Sequence, residues 1–387
     1  MKSKKLYFIV NQGAFFVSHR LDLAIVAKSK GWDVKLLIGQ SGSDEMEEPA
    51  VEKLKAFGIE YKRLTYQPTG MNPFYEIWGL LQLVYILLKE KPDIVHTVSP
   101  KGMMYGGLAS RIACVKSLVI AISGMGYLYT SKGGIIKRLI LKIVNWLTDL
   151  ILSHPNKSII VQNKDDFDFF CNKNSVCNSE IILIPGSGVD LTIYNQIQSQ
   201  GNNSVVFPAR LLKDKGVFEF IEAVRILKKG GCTWRFIVAG SATYDNPSSV
   251  GESQVNSWVD EGLIDWYGHV ADMIPVYKEC DIVCLPSYRE GMPKVLLEAA
   301  AAGKATITTD TVGCREAIIP DVTGLLVPAK DSVALAKALD KLIKDKHLRT
   351  NFGLNGRKLA YDKFSIENVV KVTFNTYSSL EGKVENE

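Results

Sequence analysis

Short apolar runs alternate with longer segments of helical periodicity along the first half of the chain. The runs have the length and the apolar content of buried parallel strands. In order, they are Leu6–Val10, Asp33–Ile38, Glu60–Leu64, Asp93–Val98, Ser117–Ile122, Ser158–Val161 and Ile181–Ile184. Between them we predict helices, including Ser18–Lys30 after a turn at Gly13, and the long Pro73–Lys89 and Ile135–Ser153. Strands that alternate with helices build a parallel sheet covered on both faces, so this half is predicted to be a doubly wound α/β domain.

This alternation stops at Pro185–Asp190, and the following Asn195–Ser204 is mostly polar. Such a stretch is typical of a junction between domains. We therefore predict two doubly wound domains, residues 1–185 and 186–364. Parallel sheets bind ligands beyond the carboxyl ends of their strands, so the expected site is the cleft between the domains. The strands predicted in the second half are Ser204–Phe207, Trp234–Ala239, Ile264–Tyr267, Asp281–Leu285, Thr306–Thr309 and Thr323–Val327.

Charge is distributed unevenly between the two halves. Residues 1–200 carry 23 Lys and Arg against 17 Asp and Glu, whereas the whole chain of 387 residues carries 46 against 41. This basic excess favours an anionic partner for the first half, such as a membrane surface, and the small net charge of +5 does not indicate nucleic acid. Seven cysteines without a Cys-x-x-Cys pair indicate a reducing compartment. No signal peptide and no transmembrane helix are predicted from the apolar runs.

Two loops at predicted strand ends in the second half contain candidate anion ligands. In Phe207–Gly216, Arg210 can fork two phosphate oxygens and Lys215 can add a point charge. The alternative for this loop is a solvated basic turn before a helix. In Asp310–Ala317, Gly313 precedes a helix start that can also face a ligand.

A third loop carries two carboxylates, Glu290 in a turn and Glu298 in the helix predicted after Pro293. A carboxylate beside a phosphate site repels the ligand, but it is a strong acceptor for paired sugar hydroxyls. The alternative is that one carboxylate caps the helix and the other lies on its surface.

The residues from Ser287 to Gly303 read Ser-Tyr-x-Glu-Gly-x-Pro-x-x-Leu-Leu-Glu-Ala-x-Ala-x-Gly. Together with Ala-Arg-x-x-x-x-Lys-Gly upstream and Gly-Cys-Arg-Glu-Ala-Ile downstream, this stretch resembles the signature of family 4 glycosyltransferases. The resemblance covers essentially the whole chain. It implies a retaining enzyme of GT-B fold, with two Rossmann-like domains and a C-terminal segment, residues 365–387, that crosses back onto the first domain.

The resemblance also implies a role for each motif residue. Arg210 and Lys215 would hold the donor diphosphate and stabilise the leaving phosphate without a metal or cofactor, and Glu298 would bind the ribose. Glu290 would contact the transferred sugar and, with Arg210 and Lys215, form the catalytic set. The remaining donor-side positions are Gly13, Gly291, Met292, Pro293, Lys294, Val295 and, nearer the nucleoside, Glu316.

The first half resembles a narrower bacterial group that extends undecaprenyl-diphosphate-linked saccharides in O-antigen, capsule or glycoprotein pathways. The matching stretches are Asn11–Arg20, His96–Gly102 and Ala121–Tyr127. On the acceptor side this resemblance would place His19, Arg20, His96, Lys101, Ser123 and Gly124. An ordinary strand-end or capping role is the alternative for each histidine. Some members carry a histidine where this chain has Ser123-Gly124, so no catalytic histidine is assigned there.

The function implied is transfer of a sugar from a UDP-sugar to an undecaprenyl-diphosphate-linked saccharide at the cytoplasmic face of the inner membrane. UDP-GalNAc is the first choice of donor, followed by UDP-Gal, UDP-GlcNAc and UDP-Glc. The alternatives are a UDP-N-acetylhexosamine epimerase of the same fold, a transferase with a soluble acceptor, and a non-enzymatic carbohydrate-binding module.

The predicted helix Ile135–Ser153 has a broad apolar stripe opposite Lys137, Arg138, Lys142 and Asn145. A basic amphipathic helix can lie in a membrane interface. The pattern fits equally a helix that packs on its own sheet and exposes a basic face.

Overall fold

The computed structural model describes residues 3–40, 44–66, 72–124, 135–197, 201–242 and 248–384. The chain divides into two units. The N-terminal unit comprises Met1–Ser187 and Val369–Glu387, and the C-terminal unit comprises Gly188–Asn368. Each unit contains one parallel sheet.

The seven strands of the N-terminal unit pair in the order β3-β2-β1-β4-β5-β6-β7 and every pair is parallel. Residues of β1, β4, β5 and β6 are almost all buried, as expected for a sheet with helices on both faces. The strands are β1 (Lys5–Val10), β2 (Asp33–Ile38), β3 (Glu60–Arg63), β4 (Ile94–Val98), β5 (Ser117–Ile122), β6 (Lys157–Val161) and β7 (Ile181–Leu183).

Helices connect these strands. Helix α4 starts where Asn72 accepts a hydrogen bond from the Phe74 N–H and Pro73 occupies the first turn. It ends at Glu90, and the next residue, Lys91, has a left-handed backbone conformation. The helices are α1 (Gly13–His19), α2 (Leu21–Ser29), α3 (Asp44–Ala56), α4 (Pro73–Glu90), α5 (Pro100–Ile112), α6 (Ile135–Leu152) and α7 (Lys164–Cys171).

The C-terminal unit repeats this architecture with six parallel strands in the order β10-β9-β8-β11-β12-β13. Its strands are β8 (Ser204–Phe207), β9 (Arg235–Ala239), β10 (Asp265–Gly268), β11 (Ile282–Leu285), β12 (Ala305–Thr309) and β13 (Gly324–Val327). Its helices are α8 (Leu191–Tyr194), α9 (Val217–Lys229), α10 (Glu252–Asp260), α11 (Ile274–Glu279), α12 (Lys294–Ala301), α13 (Ser332–Lys344) and α14 (Lys346–Leu359), and α15 (Ile366–Val384) follows. The predicted fold class, two doubly wound α/β sheets in series, is therefore confirmed.

Two helices differ from the sequence pattern. Where a turn and a single helix over Ser18–Lys30 are predicted, the structure has α1 and α2, separated at Arg20 (φ −139°, ψ 0°). The short α8 lies between Pro185–Asp190 and the polar Asn195–Ser204, where no element is predicted, and Asp190 caps it by accepting from the Thr192 N–H. A helix of one or two turns shows too few repeats of its period for the sequence to define it reliably.

Helix α15 packs on the N-terminal sheet. Tyr377 is completely buried, and its hydroxyl lies 2.6 Å from His96 Nδ1 in β4. Phe374 packs against Trp32, and the Asn156 side chain donates to the Leu380 carbonyl at 3.0 Å. The end of the chain is therefore part of the core of the N-terminal unit.

The N-terminal unit also contains the longest apolar helices, α4 and α6. Within the ranges given above, no helix is both long and apolar enough to cross a membrane.

The Tyr377 hydroxyl generates a first prediction. Tyr377→Phe should lower the free energy of opening of β4 by about 1–3 kcal/mol, because it leaves the buried His96 Nδ1 without its partner. Native-state hydrogen exchange of the β4 amides measures this quantity. The matched control is Tyr361→Phe, at a site that is 70% exposed, where no change is expected. Equal exchange rates in both variants would contradict a stabilising role for this hydrogen bond.

Candidate functional site

Three loops meet at one edge of the C-terminal sheet. They follow β8, β11 and β12, which are adjacent and parallel, so their carboxyl ends lie side by side. The Tyr288 N–H donates to the Asp214 carbonyl at 2.9 Å, which joins the second loop to the first. The Glu290 N–H donates to the Val312 carbonyl at 3.0 Å, which joins it to the third. The structure thus brings together the loops that carry the predicted donor residues.

Glu290 and Lys215 form an ion pair in this loop cluster. Lys215 Nζ lies 2.5 Å from Glu290 Oε1, and the two side chains are 24% and 13% exposed. The Ser287 hydroxyl donates to the same oxygen at 2.7 Å. The Ser287 carbonyl in turn accepts from the hydroxyls of Thr309 and Thr311. The carboxylate is therefore held at a defined position next to a cation that phosphate oxygens can also use.

Two glycines permit this close approach of the loops. Gly216 and Gly313 both have positive φ, +76° and +80°. A Cβ at residue 216 would lie 2.1 Å from the Pro286 carbonyl oxygen, and one at 313 would lie 2.4 Å from the Glu290 carbonyl oxygen. Any side chain at either position would push the second loop away from its neighbours.

Arg210 is exposed near the start of the first loop, three residues after β8. Its loop is held by backbone bonds, since the Leu211 N–H donates to the Ser241 carbonyl and the Val250 N–H donates to the Leu211 carbonyl. Among the residues with described coordinates, no carboxylate forms an ion pair with Arg210. Its guanidinium therefore stays available to an anionic ligand at the same edge as Lys215.

The stretch from Gly291 to Val295 leads into helix α12. Gly291, Met292 and Pro293 are buried, whereas Lys294 and Val295 are partly exposed. The helix begins at Lys294, so Pro293 stands at the cap (φ −71°, ψ 115°) rather than within the first turn. The first N–H groups of α12 therefore follow directly after the Glu290 turn.

Glu298 lies one turn further along α12 and is almost fully buried, at 9% exposure. The Tyr277 hydroxyl lies 3.0 Å from its Oε2, Tyr194 is a second hydrogen-bond partner, and Lys294 Nζ lies 3.7 Å from Oε1. Burial raises the pKa of Glu298, while Lys294 and the two tyrosines act in the opposite direction. This carboxylate is thus a buried acceptor with fixed orientation.

Glu316 forms a hydrogen bond within its own loop. Its Oε2 accepts a hydrogen bond from the Gly313 N–H at 2.8 Å, so it supports the third loop in this conformation. Its predicted contact with a nucleoside remains a prediction.

At the corresponding edge of the N-terminal sheet, Gly13 begins α1. The N–H groups of Gly13 and Ala14 donate to the two carboxylate oxygens of Glu47, at 3.0 and 3.2 Å. Glu47 is itself 2% exposed. The glycine predicted to approach the donor is therefore in contact with a buried side chain that the sequence pattern did not single out.

Four predicted acceptor residues lie in the segments that follow β1, β4 and β5 in the chain. His19, at the end of α1, stacks on Phe15 with ring centroids 4.2 Å apart. Lys101 pairs with Glu76 at 3.1 Å. Ser123 and Gly124 directly follow β5 and are partly exposed, whereas Met125–Tyr127 of the same motif lie outside the described residues.

His96 and Arg20 are both buried in this structure, and their place on the acceptor side remains a prediction. His96 is completely buried in β4 against Phe8 and Tyr377, and Arg20 is 4% exposed. Burial, and then the nearby Arg20, hold the pKa of His96 well below its usual value. The His96 side chain lies on the sheet face that α15 covers, where it contacts Tyr377. Side chains alternate between the two faces along a strand, and the sequence motif alone does not specify on which face His96 lies.

Sequence reasoning missed Tyr277, Tyr194, Ser287 as a partner of Glu290, and Glu47. Ser287 stands three residues before Glu290 within the motif, so the sequence could have predicted a contact between the two side chains across a turn. The tyrosines come from α8 and α11, which are distant in sequence from Glu298, and no local pattern points to them.

The site combines cations, a paired carboxylate and a buried carboxylate at one sheet edge. Cations and helix N–H groups suit phosphate oxygens, while fixed carboxylates suit hydroxyl donors. The arrangement therefore suits a ligand that carries both phosphate and hydroxyl groups.

Two family models match the chain. Residues 5–155 match the Glycosyl transferase 4-like model, and residues 193–359 match the Glycosyl transferases group 1 model. The first range includes β1 to β5 and the second includes β8 to β13, whereas β6 and β7 lie between them.

Similar proteins act on sugars linked to undecaprenol. An N,N'-diacetylbacillosaminyl-diphospho-undecaprenol alpha-1,3-N-acetylgalactosaminyltransferase of Campylobacter jejuni is 26% identical over 375 residues, 93% of this chain and 95% of that protein. A UDP-Gal:alpha-D-GlcNAc-diphosphoundecaprenol alpha-1,3-galactosyltransferase of Escherichia coli is 26% identical over 70% of this chain and 71% of its own. The crystal structure of Anabaena HepE with UDP and glucose superposes with a TM-score of 0.77 at 20% identity, over 97% of this chain and 100% of that chain. With these matches and its two parallel-sheet domains, the chain belongs to the glycosyltransferases of GT-B fold, with a glycosyl transferase 4-like domain followed by a group 1 domain.

Proposed function

We propose that the protein transfers a sugar from a UDP-sugar to an undecaprenyl-diphosphate-linked saccharide, with retention of configuration. GalNAc in α linkage is the first choice, followed by galactose, GlcNAc and glucose. The observation that carries the proposal is the pair of differently placed carboxylates at one sheet edge, Glu290 beside Lys215 and Glu298 beside Tyr277. A nucleotide sugar presents diphosphate, sugar hydroxyls and ribose hydroxyls, which are the groups these side chains bind.

The charges explain how the sugar–phosphate bond can break. Cleavage leaves negative charge on the departing UDP, and Arg210 and Lys215 are placed to stabilise it electrostatically. Because these two residues supply the positive charge, we propose that no metal is needed. A diphosphate at Lys215 competes with Glu290, so binding would free the carboxylate to accept hydroxyls of the transferred sugar.

Retention is explained by attack on the same face from which UDP leaves. Glu290 is engaged by Lys215 and Ser287, and the motifs contain no carboxylate placed to act as a nucleophile on the opposite face. In this mechanism the leaving phosphate accepts the proton of the acceptor hydroxyl, and the acceptor oxygen bonds to the anomeric carbon.

The acceptor side is proposed for the N-terminal unit. Similarity to enzymes that act on undecaprenol-linked sugars supports a lipid diphosphate acceptor, in a polysaccharide pathway of the O-antigen or capsule type. The basic excess of the first half supports a peripheral location at the cytoplasmic face of the inner membrane. We propose His19, Lys101, Ser123 and Gly124 for this role.

A donor screen tests the proposal. The enzyme is incubated with each of four UDP-sugars, with and without an undecaprenyl-diphosphate-GalNAc or -GlcNAc analogue, and products are identified by mass spectrometry and anomeric NMR couplings. We expect an α-linked product with one donor, unchanged by EDTA. An altered sugar in the donor-only reaction would instead identify an epimerase, and loss of activity in EDTA would overturn metal-free catalysis.

Arg210→Ala should lower kcat by about 100-fold or more, because an electrostatic contact to the leaving group acts mainly in the transition state. Steady-state kinetics with the preferred donor measures the effect. Lys213→Ala is the matched control, since Lys213 is an exposed cation of the same loop, and it should stay within about threefold of the parent enzyme. Near-normal kcat in Arg210→Ala would remove this residue from the mechanism.

Tyr277→Phe should raise KM for the UDP-sugar several-fold and leave kcat nearly unchanged, because the hydroxyl orients Glu298, which binds the remote ribose. The ionised carboxylate is the form that accepts ribose hydroxyls, so KM should rise as pH falls through the raised pKa of Glu298. Removing a hydrogen bond that lowers this pKa moves the acidic limb to higher pH.

The pH profile of KM separates this positioning role from a general loss of stability. Tyr361→Phe, at an exposed position, should reproduce the parent profile. An unshifted profile in Tyr277→Phe would contradict the coupling to Glu298.

A further inference from the structure

Helix α4 presents a continuous apolar face to solvent. Its inner face, which includes Leu83, Ile86 and Leu87, is buried in the core of the N-terminal unit. Its outer face consists of residues at helical spacing that are each at least half exposed: Phe74 84%, Ile77 59%, Trp78 57%, Leu81 54%, Tyr85 61% and Leu88 51%. We call these six residues the α4 stripe. The stripe covers 15 residues of helix and is about 21 Å long. Single exposed apolar residues are common on protein surfaces, but a continuous patch of this length indicates an interaction site.

The charges of α4 avoid this stripe. Its two carboxylates lie to the side or inward and are both paired, Glu76 with Lys101 at 3.1 Å and Glu90 with Lys35 at 2.5 Å. Lys89 is exposed beside the stripe, with Nζ 5.7 Å from the Tyr85 ring centroid. The outer surface of α4 therefore combines apolar side chains with positive charge.

The outer surface of α6 continues this chemistry. Helices α4, α5 and α6 lie side by side, because α5 contacts both of the others. On α6, Trp146 is 65% exposed, and Arg138 and Lys142 are exposed on the same side. The one carboxylate of this helix, Asp149, pairs with Lys173 at 2.9 Å. The result is a surface of exposed aromatic and aliphatic groups bordered by cations that no described carboxylate neutralises.

We propose that the α4 stripe inserts into the interfacial region of an anionic lipid bilayer, with Lys89, Arg138 and Lys142 against the headgroups. Tryptophan and tyrosine favour this region because their rings combine apolar area with a polar edge, and a basic border adds attraction to anionic lipid. This proposal deepens the proposed function, since a lipid-linked acceptor resides in a bilayer.

A second copy of the chain fits the surface less well. A two-fold symmetric dimer uses the same patch on both subunits, so the border cations of one copy would approach those of the other without a compensating carboxylate. An anionic bilayer offers the complementary charge and an apolar interior at once.

Vesicle flotation of the full chain, without donor or acceptor, tests the proposal. The protein should bind vesicles that contain phosphatidylglycerol and bind phosphatidylcholine vesicles much more weakly. The double variant Trp78→Ser with Leu81→Ser should lower the partition coefficient at least about tenfold, because it removes two central apolar groups. The matched control is Leu354→Ser with Tyr361→Ser, which are 62% and 70% exposed on the C-terminal unit and should bind as the parent does.

A conservative variant keeps the test independent of folding. Quenching of tryptophan fluorescence by brominated lipid should fall in Trp78→Phe, which retains an apolar side chain and vesicle binding. It should be unchanged in Trp258→Phe, because Trp258 is buried in the C-terminal unit at 3% exposure.

Three results would overturn the proposal. They are absence of binding to phosphatidylglycerol vesicles, parent-like binding of the double variant together with parent-like quenching in Trp78→Phe, and a dimer by light scattering that the double variant dissociates. Transfer to a short-chain, water-soluble acceptor separates the two hypotheses. The double variant should retain that activity, whereas failure of the proposed function abolishes transfer in the parent enzyme and leaves vesicle binding intact.

Discussion

The ion pair between Lys215 and Glu290 connects the loops on which the donor side depends. A cation and a carboxylate 2.5 Å apart, both largely shielded from water, hold the loop after β8 against the loop after β11. Removing either partner would leave a partly buried charge without compensation, which costs more than the pair itself contributes. In the proposed function, this cation would balance both the carboxylate and a phosphate of the donor.

The two motif carboxylates differ in environment and hence in the chemistry open to them. Glu290 is bound by a lysine and a hydroxyl at the mouth of the loops, so its partners can exchange with those of a ligand. Glu298 is enclosed by helices α8, α11 and α12, and burial raises its pKa while tyrosine hydroxyls fix its orientation. A readily exchanged carboxylate suits the sugar that moves, and a fixed one suits the ribose that stays in place.

A different constraint organises the N-terminal unit. Arg20, His96 and Tyr377 are buried together beneath α15, where burial lowers the pKa of Arg20 to about 10 and holds His96 neutral. The cluster ties the last helix of the chain to the central strand β4. On the opposite face of the same sheet, α4 to α6 expose the apolar and basic surface. One sheet thus carries a buried polar cluster on one face and an exposed apolar and basic surface on the other.

The sequence by itself determined the doubly wound fold, because buried strands and amphipathic helices produce hydrophobic patterns that can be recognised directly in the sequence. It also predicted strand-end loops that carry Arg210, Lys215 and Glu290, and these loops meet in the structure because parallel strands share one edge. The roles of these residues and of Glu298 toward a ligand remain predictions. Only the tertiary structure decided that Tyr277 and Tyr194 hold Glu298, that Glu47 contacts Gly13, and that His96 faces the core. These contacts join residues from separate elements, and a side chain's partners depend on how the elements pack. Local spacing specifies the element and its edge, whereas burial and pairing are properties of the assembled sheet and helices.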